Sequence, residues 1–403
     1  MTYEAFAARL RATGVVSDPW LDGAPRFEEA PVVLGPDEAE ALATSAESVV
    51  AALNELVRLA CAEPELLDRL GLTPFQRIMW HASAPHWHGI ARADAFFTTG
   101  PADSVQICEV NSDTPSGEAE AVILGRLAAA RGLRDPNAGL LARLAALVER
   151  VAPRKGTVGL LYPTELTEDL SMIALYRELF AARGWRVALG SPYNLAPAPG
   201  GRLALLGEPV DVLVRHYKTD WWGEREPVWR GEPPPNDPDP LDGPLGLIAA
   251  AALDGSCAVV NPLAAVATQN KRALALLWEE IERLPAWAAE AVRRHVPFTA
   301  RLETLPVERL DREAWVLKSD YGCEGDEVLL GAELDDSEWR EALAEAVPGR
   351  WVAQRRFVPR PGRAAVVNHG VYVVAGQAAG LLTRLSDGKT DACARTVATL
   401  VAT

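Results

Sequence analysis

The sequence predicts a mixed protein, an α/β segment built on a parallel sheet followed by an α+β segment of hairpins. Three observations support this. Apolar strand-like runs alternate with helical runs between residues 157 and 260. From Trp315 onward the pattern changes to successive short strands with one helix. Ahead of both lie helical stretches and a pair of strand-like segments rich in oxygen-bearing side chains. Strands separated by helices form parallel sheets covered on both faces, whereas successive hairpins form antiparallel ones.

The elements follow in order. Residues 37–70 carry Ala, Leu and Val at three- and four-residue steps among Glu and Ser, the pattern of a helix. "AVILGRLAAARG" and "LLARLAALVERV" are two further helices, closed by Gly132 and Pro153. "TVGLLYP" is a buried strand, "EDLSMIALYRELFAARG" a helix stopped by Gly184, and "WRVALGS", "VDVLVRHY" and "CAVVNP" continue the strand series. Pro163-Thr164-Glu165 follows the first of these strands in place of a Gly-x-Gly-x-x-Gly turn, which counts against a dinucleotide enzyme. Residues 226–244 are acidic and Pro-rich, a loop that is either a solvated insertion or a lid. "NKRALALLWEEIERL", 270–284, is an amphipathic helix, and the segments at 314–319, 326–331, 350–358, 364–376 and 378–386 are strands around a helix at 335–347. No internal repeat is present, and the expected parts are 1–154, 155–265 and 266–403.

Bulk composition narrows the function. The formal charge of −15 argues against nucleic-acid binding, which relies on Lys and Arg against phosphates. Five dispersed cysteines without a CxxC pair suit reduced thiols, and neither a signal core nor a membrane-length apolar run is present, so a soluble cytoplasmic protein is expected.

Two constellations suggest chemistry. Arg92 and Asp94 alternate in one strand-like segment, and Glu109 and Asn111 in the next. Residues two apart in a strand share a face, so pairing of the segments brings Asp94, Glu109 and Asn111 together beside Arg92. Two carboxylates and an amide oxygen suit Mg²⁺, which borrows further ligands from phosphates. The plainer reading is a pair of charged strands facing water. In "VLKSDYGCEGDEVLL", Lys318 closes a strand and Gly322 and Gly325 lie in the loop behind it, a cation beside glycines that admit phosphate oxygens. The spacing is not that of a Walker A loop, and a plain hairpin has the same pattern. Lys271, following Asn270, is a second candidate phosphate cation or a solvated lysine. "HASAPHWHG" sets His81, His86 and His88 among Trp80 and Trp87 without a neighbouring Cys, which reads as core or pocket wall rather than zinc site. The tryptophans are core anchors, although Trp221 and Trp222 suit a pocket mouth.

"EVNSDTPSG", "NPLAAVATQNKRALALLWE", "VLKSDYGCEG" and "WVAQRRFVP" stand in the order of the glutathionylspermidine synthase-like, circularly permuted ATP-grasp family, which the chain resembles from about Trp20 to its end. "YKTDWW" at 217–222 resembles the family's Tyr-Pro-x-Glu-Trp segment with Asp220 at the acidic position, and "AAGLLTRLSDG" its last strand and arginine. The resemblance implies an ATP-grasp core with a Rossmann-like parallel-sheet subdomain and a carboxylate–amine ligase using ATP and Mg²⁺. It implies that ATP phosphorylates a carboxylate, of an amino acid or peptide, and that an amine, a polyamine among the candidates, displaces the phosphate. On matching positions, Asp94, Glu109 and Asn111 would hold Mg²⁺, and Arg92 and Arg384 would face the reacting groups. Lys271, Lys318, the Gly322–Gly325 loop and Gln354 would hold ATP, and Thr114 and Ser116 the carboxylate substrate. The chain departs from the family at Ser319 and Cys323, where the family's loop carries proline and arginine. Either Arg355 or Arg356 replaces that arginine, or the chemistry is slower, or the acceptor differs. The rival reading is a nucleotide- or partner-binding protein without catalysis. A thiol or hydroxyl acceptor in place of the amine is equally compatible with the residues.

Overall fold

The computed structural model describes every residue except 1, 84–85, 100–103, 165–168, 220–225, 234–240, 323–324 and 326. The expected features at Glu165, Asp220, Trp221, Trp222 and Cys323 lie outside the described residues, as does the middle of the Pro-rich loop.

The chain opens with helix α1 (Tyr3–Ala12) and strand β1 (Phe27–Leu34). Helix α2 (Pro36–Ala62) starts where Glu38 accepts the Gly35 N–H at 2.9 Å and Pro36 occupies the first turn. The helix was expected to reach residue 70 but stops before Pro64, whose ring and missing N–H break the ladder, and a short separate helix covers Glu65–Arg69. Helix α3 (Pro74–Ala82) leads to an antiparallel pair, β2 (Ile90–Phe97) and β3 (Val105–Asn111). Helices α4 (Glu118–Ala128) and α5 (Leu140–Val151) follow.

The predicted α/β alternation is present. Strands β4 (Thr157–Leu161), β5 (Arg186–Gly190), β6 (Val212–Arg215) and β7 (Ala258–Val260) pair in parallel in the order β7-β6-β4-β5. Alternate residues sort to opposite cores. Val158, Leu160, Val212 and Val214 pack with α4, α5 and α6 (Leu170–Ala182), and Leu161 and Leu213 pack with α7 (Asp242–Leu253). Both faces are therefore covered, as continuous apolar strands require.

Helix α8 spans Arg272–Glu279, shorter than expected: Asn270 Oδ1 receives the Arg272 N–H at 2.8 Å at its start, and a tighter turn, Ile281–Arg283, replaces its expected end. Helix α9 (Ala286–His295) precedes a four-stranded antiparallel sheet of β8 (Thr299–Arg301), β9 (Trp315–Ser319), β10 (Val328–Leu330) and β11 (Trp351–Arg355), in the order β8-β11-β9-β10. Trp315, Leu317, Trp351 and Ala353 turn to a small core with α10 (Asp336–Glu345). The start of the Pro-rich loop joins that core: Val228 is buried in it and its carbonyl accepts the Trp351 indole N–H at 2.7 Å. Val228 and Trp229 are packed rather than solvated, because an apolar Val-Trp pair inside an acidic stretch gains more from burial than from water.

Strands β12 (Val366–Val374), β13 (Gln377–Ser386) and β14 (Arg395–Ala402) return to the early hairpin. They form a large sheet in the order β1-β14-β13-β12-β2-β3, with the two-residue strand Leu133–Arg134 also on β14. The expected third part, 266–403, is thus shared between two sheets. β1 and β14 were not foreseen. β1 carries Pro31 and adjacent acids, tolerable because it is the sheet edge, where no neighbour needs the missing N–H.

The parallel sheet is fastened to the hairpin by buried polar groups. Asn261, just past β7, donates to the carbonyls of Ile90 (2.8 Å) and Ser112 (2.7 Å) and accepts the Ile90 N–H (2.9 Å). Arg215, at the end of β6, pairs with Asp113, and their side chains are 0% and 2% exposed. Asp113 also accepts the Thr219 N–H at 2.7 Å. Removing one member of a buried pair strands the other's charge, at a cost of about 3–5 kcal/mol. Arg215→Met should therefore lower the unfolding free energy, read from urea denaturation, by that amount; a loss below ~1 kcal/mol, the level of an exposed pair, would contradict this account of the junction.

Candidate functional site

The β2–β3 register places Asp94 directly opposite Glu109 and Arg92 opposite Asn111. This is the predicted convergence. After Asp94 the ladder slips by one residue, leaving Cys108 as a bulge between Glu109 and Ile107. Along β2, Ala91, Ala93 and Ala95 face the core under α2, so Arg92, Asp94 and Phe96 face the other way, into a cavity of about 580 Å³. Cross-strand from Asp94 on β12 is Gly370. A Cβ there would lie 2.8 Å from the Arg92 side chain, so glycine gives the guanidinium its room.

The carboxylates are held by cations from distant parts of the chain. Asp94 receives Arg92 Nε at 3.1 Å and Arg384 Nη2 at 2.8 Å, and Glu109 lies 3.3 Å from Lys271 Nζ. Burial alone would raise the Asp94 carboxyl, but Arg92 and Arg384 outweigh it and hold it below the usual range. Asn111 Oδ1 accepts Gln269 Nε2 at 3.3 Å, and Gln269 Oε1 accepts the N–H groups of Ser112 and Asp113 at 2.9 and 3.1 Å. The strand end is thereby fixed. Arg92 also donates to the Ser116 carbonyl at 2.9 Å, which Tyr372 Oη reaches at 2.7 Å, so the Thr114–Ser116 turn is tied to the same arginine.

The small sheet supplies the opposite wall. Strand alternation sends Val316, Lys318 and Gln354 to the face away from the tryptophan core. Lys318 Nζ donates to the Cys108 carbonyl at 3.1 Å, and Gln354 Nε2 reaches it at 3.4 Å and Thr299 Oγ1 at 3.0 Å. Of the predicted residues, Arg92, Asp94, Glu109, Asn111, Thr114, Ser116, Lys318, Gly325, Gln354 and Arg384 line the one cavity. Lys271 and Gly322 sit one layer back, where Lys271 Nζ donates to the Gly322 carbonyl at 2.5 Å. Gly325 has φ +76, and a Cβ on it would lie 2.9 Å from the Thr390 carbonyl, so Gly325 docks closely on the segment after β13.

Several lining residues escaped the sequence reading. Lys389 lines the cavity and donates to the Gly325 carbonyl at 3.0 Å. Arg355 and Arg356, the expected substitute cations, also line it, and Arg355 lies 4.2 Å over the Trp315 ring. His216 and Asp169, bonded at 2.9 Å, line the end under the parallel sheet. The run "VDVLVRHY" is legible as a strand of the parallel series, but its partner, 47 residues away in sequence, is not. Asn368 Oδ1 and Arg384 Nε are buried without a partner among the described residues, and both residues line the cavity beside Asp94. The histidine cluster lies elsewhere. His88 is buried, His86 stacks on Trp80 with centroids 4.6 Å apart, and Cys61 Sγ is 3.4 Å from His86 Nδ1, a neighbour that sequence distance concealed. Among the described residues no group of three or more His, Cys, Asp or Glu is placed to hold a metal ion. The predicted metal set, two carboxylates and an amide, is smaller than such a group.

Glu118 opens α4 behind the Thr114–Ser116 turn. Its Oε1 accepts the Tyr176 hydroxyl at 3.2 Å, and its Oε2 has no partner among the described residues. Burial pushes its carboxyl up to about 7. A carboxyl raised in the folded state contributes stability that is complete below the unfolded value and lost as pH rises through the folded one. Relative to Glu118→Gln, the wild type should therefore lose on the order of 3 kcal/mol of unfolding free energy as pH rises from 4.5 past about 7. A difference between the two proteins that does not change with pH would refute the buried neutral carboxyl.

A family model described as glutathionylspermidine synthase preATP-grasp matches residues 7–402. Among solved structures, a glutathione synthetase-like effector from Globodera pallida, in its apo form, has a TM-score of 0.62 at 11% identity, over 98% of this chain and 95% of that one. At that identity the likeness concerns the fold. A putative gamma-glutamylcysteine synthetase from Methylobacillus flagellatus is more distant, with a TM-score of 0.46 at 12% identity over 90% of this chain and 86% of that one. A search of the curated proteins gives no match. No helix among the described residues is long and apolar enough to cross a membrane. With parallel and antiparallel sheets arranged as above and the model matching nearly end to end, the chain belongs to the glutathionylspermidine synthase preATP-grasp family and has its ATP-grasp-like fold.

Proposed function

We propose that the protein is an ATP-dependent carboxylate–amine ligase that forms an amide through an acyl phosphate, releasing ADP and phosphate. The observation that carries this reading is the single cavity in which Asp94 and Glu109 oppose each other, with Arg92 and Arg384 on one side and Lys318 and Gln354 on the other. A site meant only to bind a neutral ligand would have little need for so many compensated charges, since burying ions is costly.

The residues fit Mg²⁺. Side chains directly opposite in an antiparallel pair stand ~5 Å apart, so Asp94, Glu109 and the Asn111 oxygen would hold the ion, with its remaining ligands drawn from water and phosphate oxygens. Arg384 Nε and Asn368 Oδ1, buried and without a partner among the described residues, are a donor and an acceptor beside that point. When bound, the ion would supply neutralisation of phosphate charge. In this reading Lys318 and Gln354 bind the nucleotide from the small sheet, and the Gly322–Gly325 loop covers its phosphates with Lys389 beside it. Lys271 acts from behind by holding Glu109 and the Gly322 carbonyl. Thr114 and Ser116 orient the carboxylate substrate, an amino acid or a peptide. Its oxygen attacks the γ-phosphorus, ADP leaves, and the amine then displaces phosphate at the acyl carbon. Arg92 and Arg384 face the charge that develops in both steps, the place where fixed donors lower a barrier most. The substitute for the family's loop arginine is drawn from Arg355, Arg356 and Lys389. A cytoplasmic setting, where ATP is supplied, belongs to the same proposal.

The test is a pairwise screen of amino acids, short peptides and polyamines with ATP and Mg²⁺. Phosphate release that depends on a pair, with a product mass equal to the sum less water, supports ligation; nucleotide binding without turnover for any pair supports a non-catalytic binder instead. Glu109→Ala and Asp94→Asn should each abolish ADP release while the far-ultraviolet dichroism is kept. Lys318→Ala should raise the half-saturating ATP concentration by roughly 10-fold or more, the worth of one hydrogen bond to a charged group. Wild-type behaviour in these variants would remove the metal and phosphate assignments.

A further inference from the structure

The His216–Asp169 pair has no role in the steps above, yet it lines the same cavity as Thr114 and Ser116. It lies at the carboxyl edge of the parallel sheet, where open α/β sheets bind ligands. His216 follows β6 directly, and its backbone N–H donates to the Leu161 carbonyl at the end of β4 at 2.6 Å. Asp169 is the residue before α6. Its carboxylate sits 2.9 Å from His216 Nε2, which fixes the ring and leaves Nδ1 as the proton-accepting nitrogen. The preceding side chain, Arg215, holds Asp113, and through it the turn that carries Thr114. The histidine and the turn that contacts the carboxylate substrate in our reading are therefore locked in one relation. A smaller cavity, lined by Thr114, Pro115, Glu118 and His216 together, separates them.

We propose that His216, oriented by Asp169, takes the proton from the amine as it attacks the acyl phosphate. The proposal rests on the ligase reading above. In the step, the amine nitrogen forms a bond to the acyl carbon and its proton passes to His216 Nδ1. The bond from that carbon to the phosphate oxygen breaks, inorganic phosphate leaves with the electron pair, and the imidazolium returns its proton to water. A positioned histidine is the usual group for such a transfer, and its work is greatest when its pKa lies near the working pH.

The surroundings favour this role. Burial by itself would lower the His216 pKa, but Asp169, then Glu118 and Asp113, raise it above 6.5. Glu120 on α4 acts in the same field, and Lys218 lines the same cavity. Glu118 is not a better candidate, because it lines only the smaller cavity, whereas His216 also lines the one that holds Arg92 and Ser116, and the Glu118 Oε1 already accepts the Tyr176 hydroxyl.

Hydroxylamine provides the test, since it is unprotonated and strongly nucleophilic at neutral pH and needs no base to attack an acyl phosphate. Wild-type protein with ATP, Mg²⁺ and the panel of amino acids and short peptides should form a hydroxamate with hydroxylamine and an amide with an amine of the screen. His216→Gln should keep hydroxamate formation and lose the amide reaction by roughly 100-fold or more. In Asp169→Asn the acidic limb of the amide pH–rate profile should move to lower pH, because the carboxylate that raises the imidazole is gone. Equal losses in both reactions, or no loss in either, would overturn the assignment, as would an unmoved limb in Asp169→Asn. Absence of hydroxamate from the wild type with every acid would instead overturn the ligase reading and the assignment with it.

Discussion

Two carboxylates facing each other across a buried pair of strands cannot stand alone. Asp94 and Glu109 occupy that position, and each must be neutralised or it would unfold the hairpin that carries it. The chain answers with Arg92 from the same strand, Arg384 from β13 and Lys271 from the start of α8. Arg384 comes from 290 positions away from Asp94 in sequence. Much of the architecture follows from bringing them together: the late strands return to the early hairpin because the charge at Asp94 and the apolar face of the sheet are both completed there.

The same constraint holds the charged groups of the cavity in place. Arg92, Arg384 and Lys271 are paired with Asp94 and Glu109, so little has to reorganise when charge arrives. Cys108 illustrates the economy of the arrangement. As the bulged residue of β3 it turns its carbonyl toward the small sheet, where Lys318 and Gln354 both reach it. Two sheets thus meet at one backbone oxygen. The parallel sheet joins through side chains instead, with Asn261 on the hairpin backbone and Arg215 on Asp113. The turn between Asn111 and Glu118 is held from both sides, which is what a turn needs if its hydroxyls are to orient a substrate.

What could be read in the sequence was whatever rests on local periodicity. The two-residue spacings of Arg92–Asp94 and Glu109–Asn111 carried the hairpin and its shared face, and apolar runs between helices carried the parallel sheet. Lys318 and the glycines were visible as a cation beside a loop. Partners distant in sequence were not visible: nothing in "TEDL" announces that Asp169 will meet His216, and nothing near Cys61 announces His86. Edge strand β1 was hidden by Pro31 and its acids, β14 by small residues with weak alternation, and the end of α2 was misplaced because the apolar repeat continues past a proline. The docking of Val228 under Trp351 was hidden inside a composition that reads as loop.

The central claim is that side chains of β3 and β9 meet around one nucleotide bound with magnesium. Hydrogen exchange of the backbone amides, followed by mass spectrometry with and without ATP and Mg²⁺, tests it most directly. The account predicts slowed exchange at Cys108–Asn111 and at Val316–Ser319 together, over the same range of nucleotide concentration. Protection of one segment without the other, or of neither while nucleotide is bound, would contradict it.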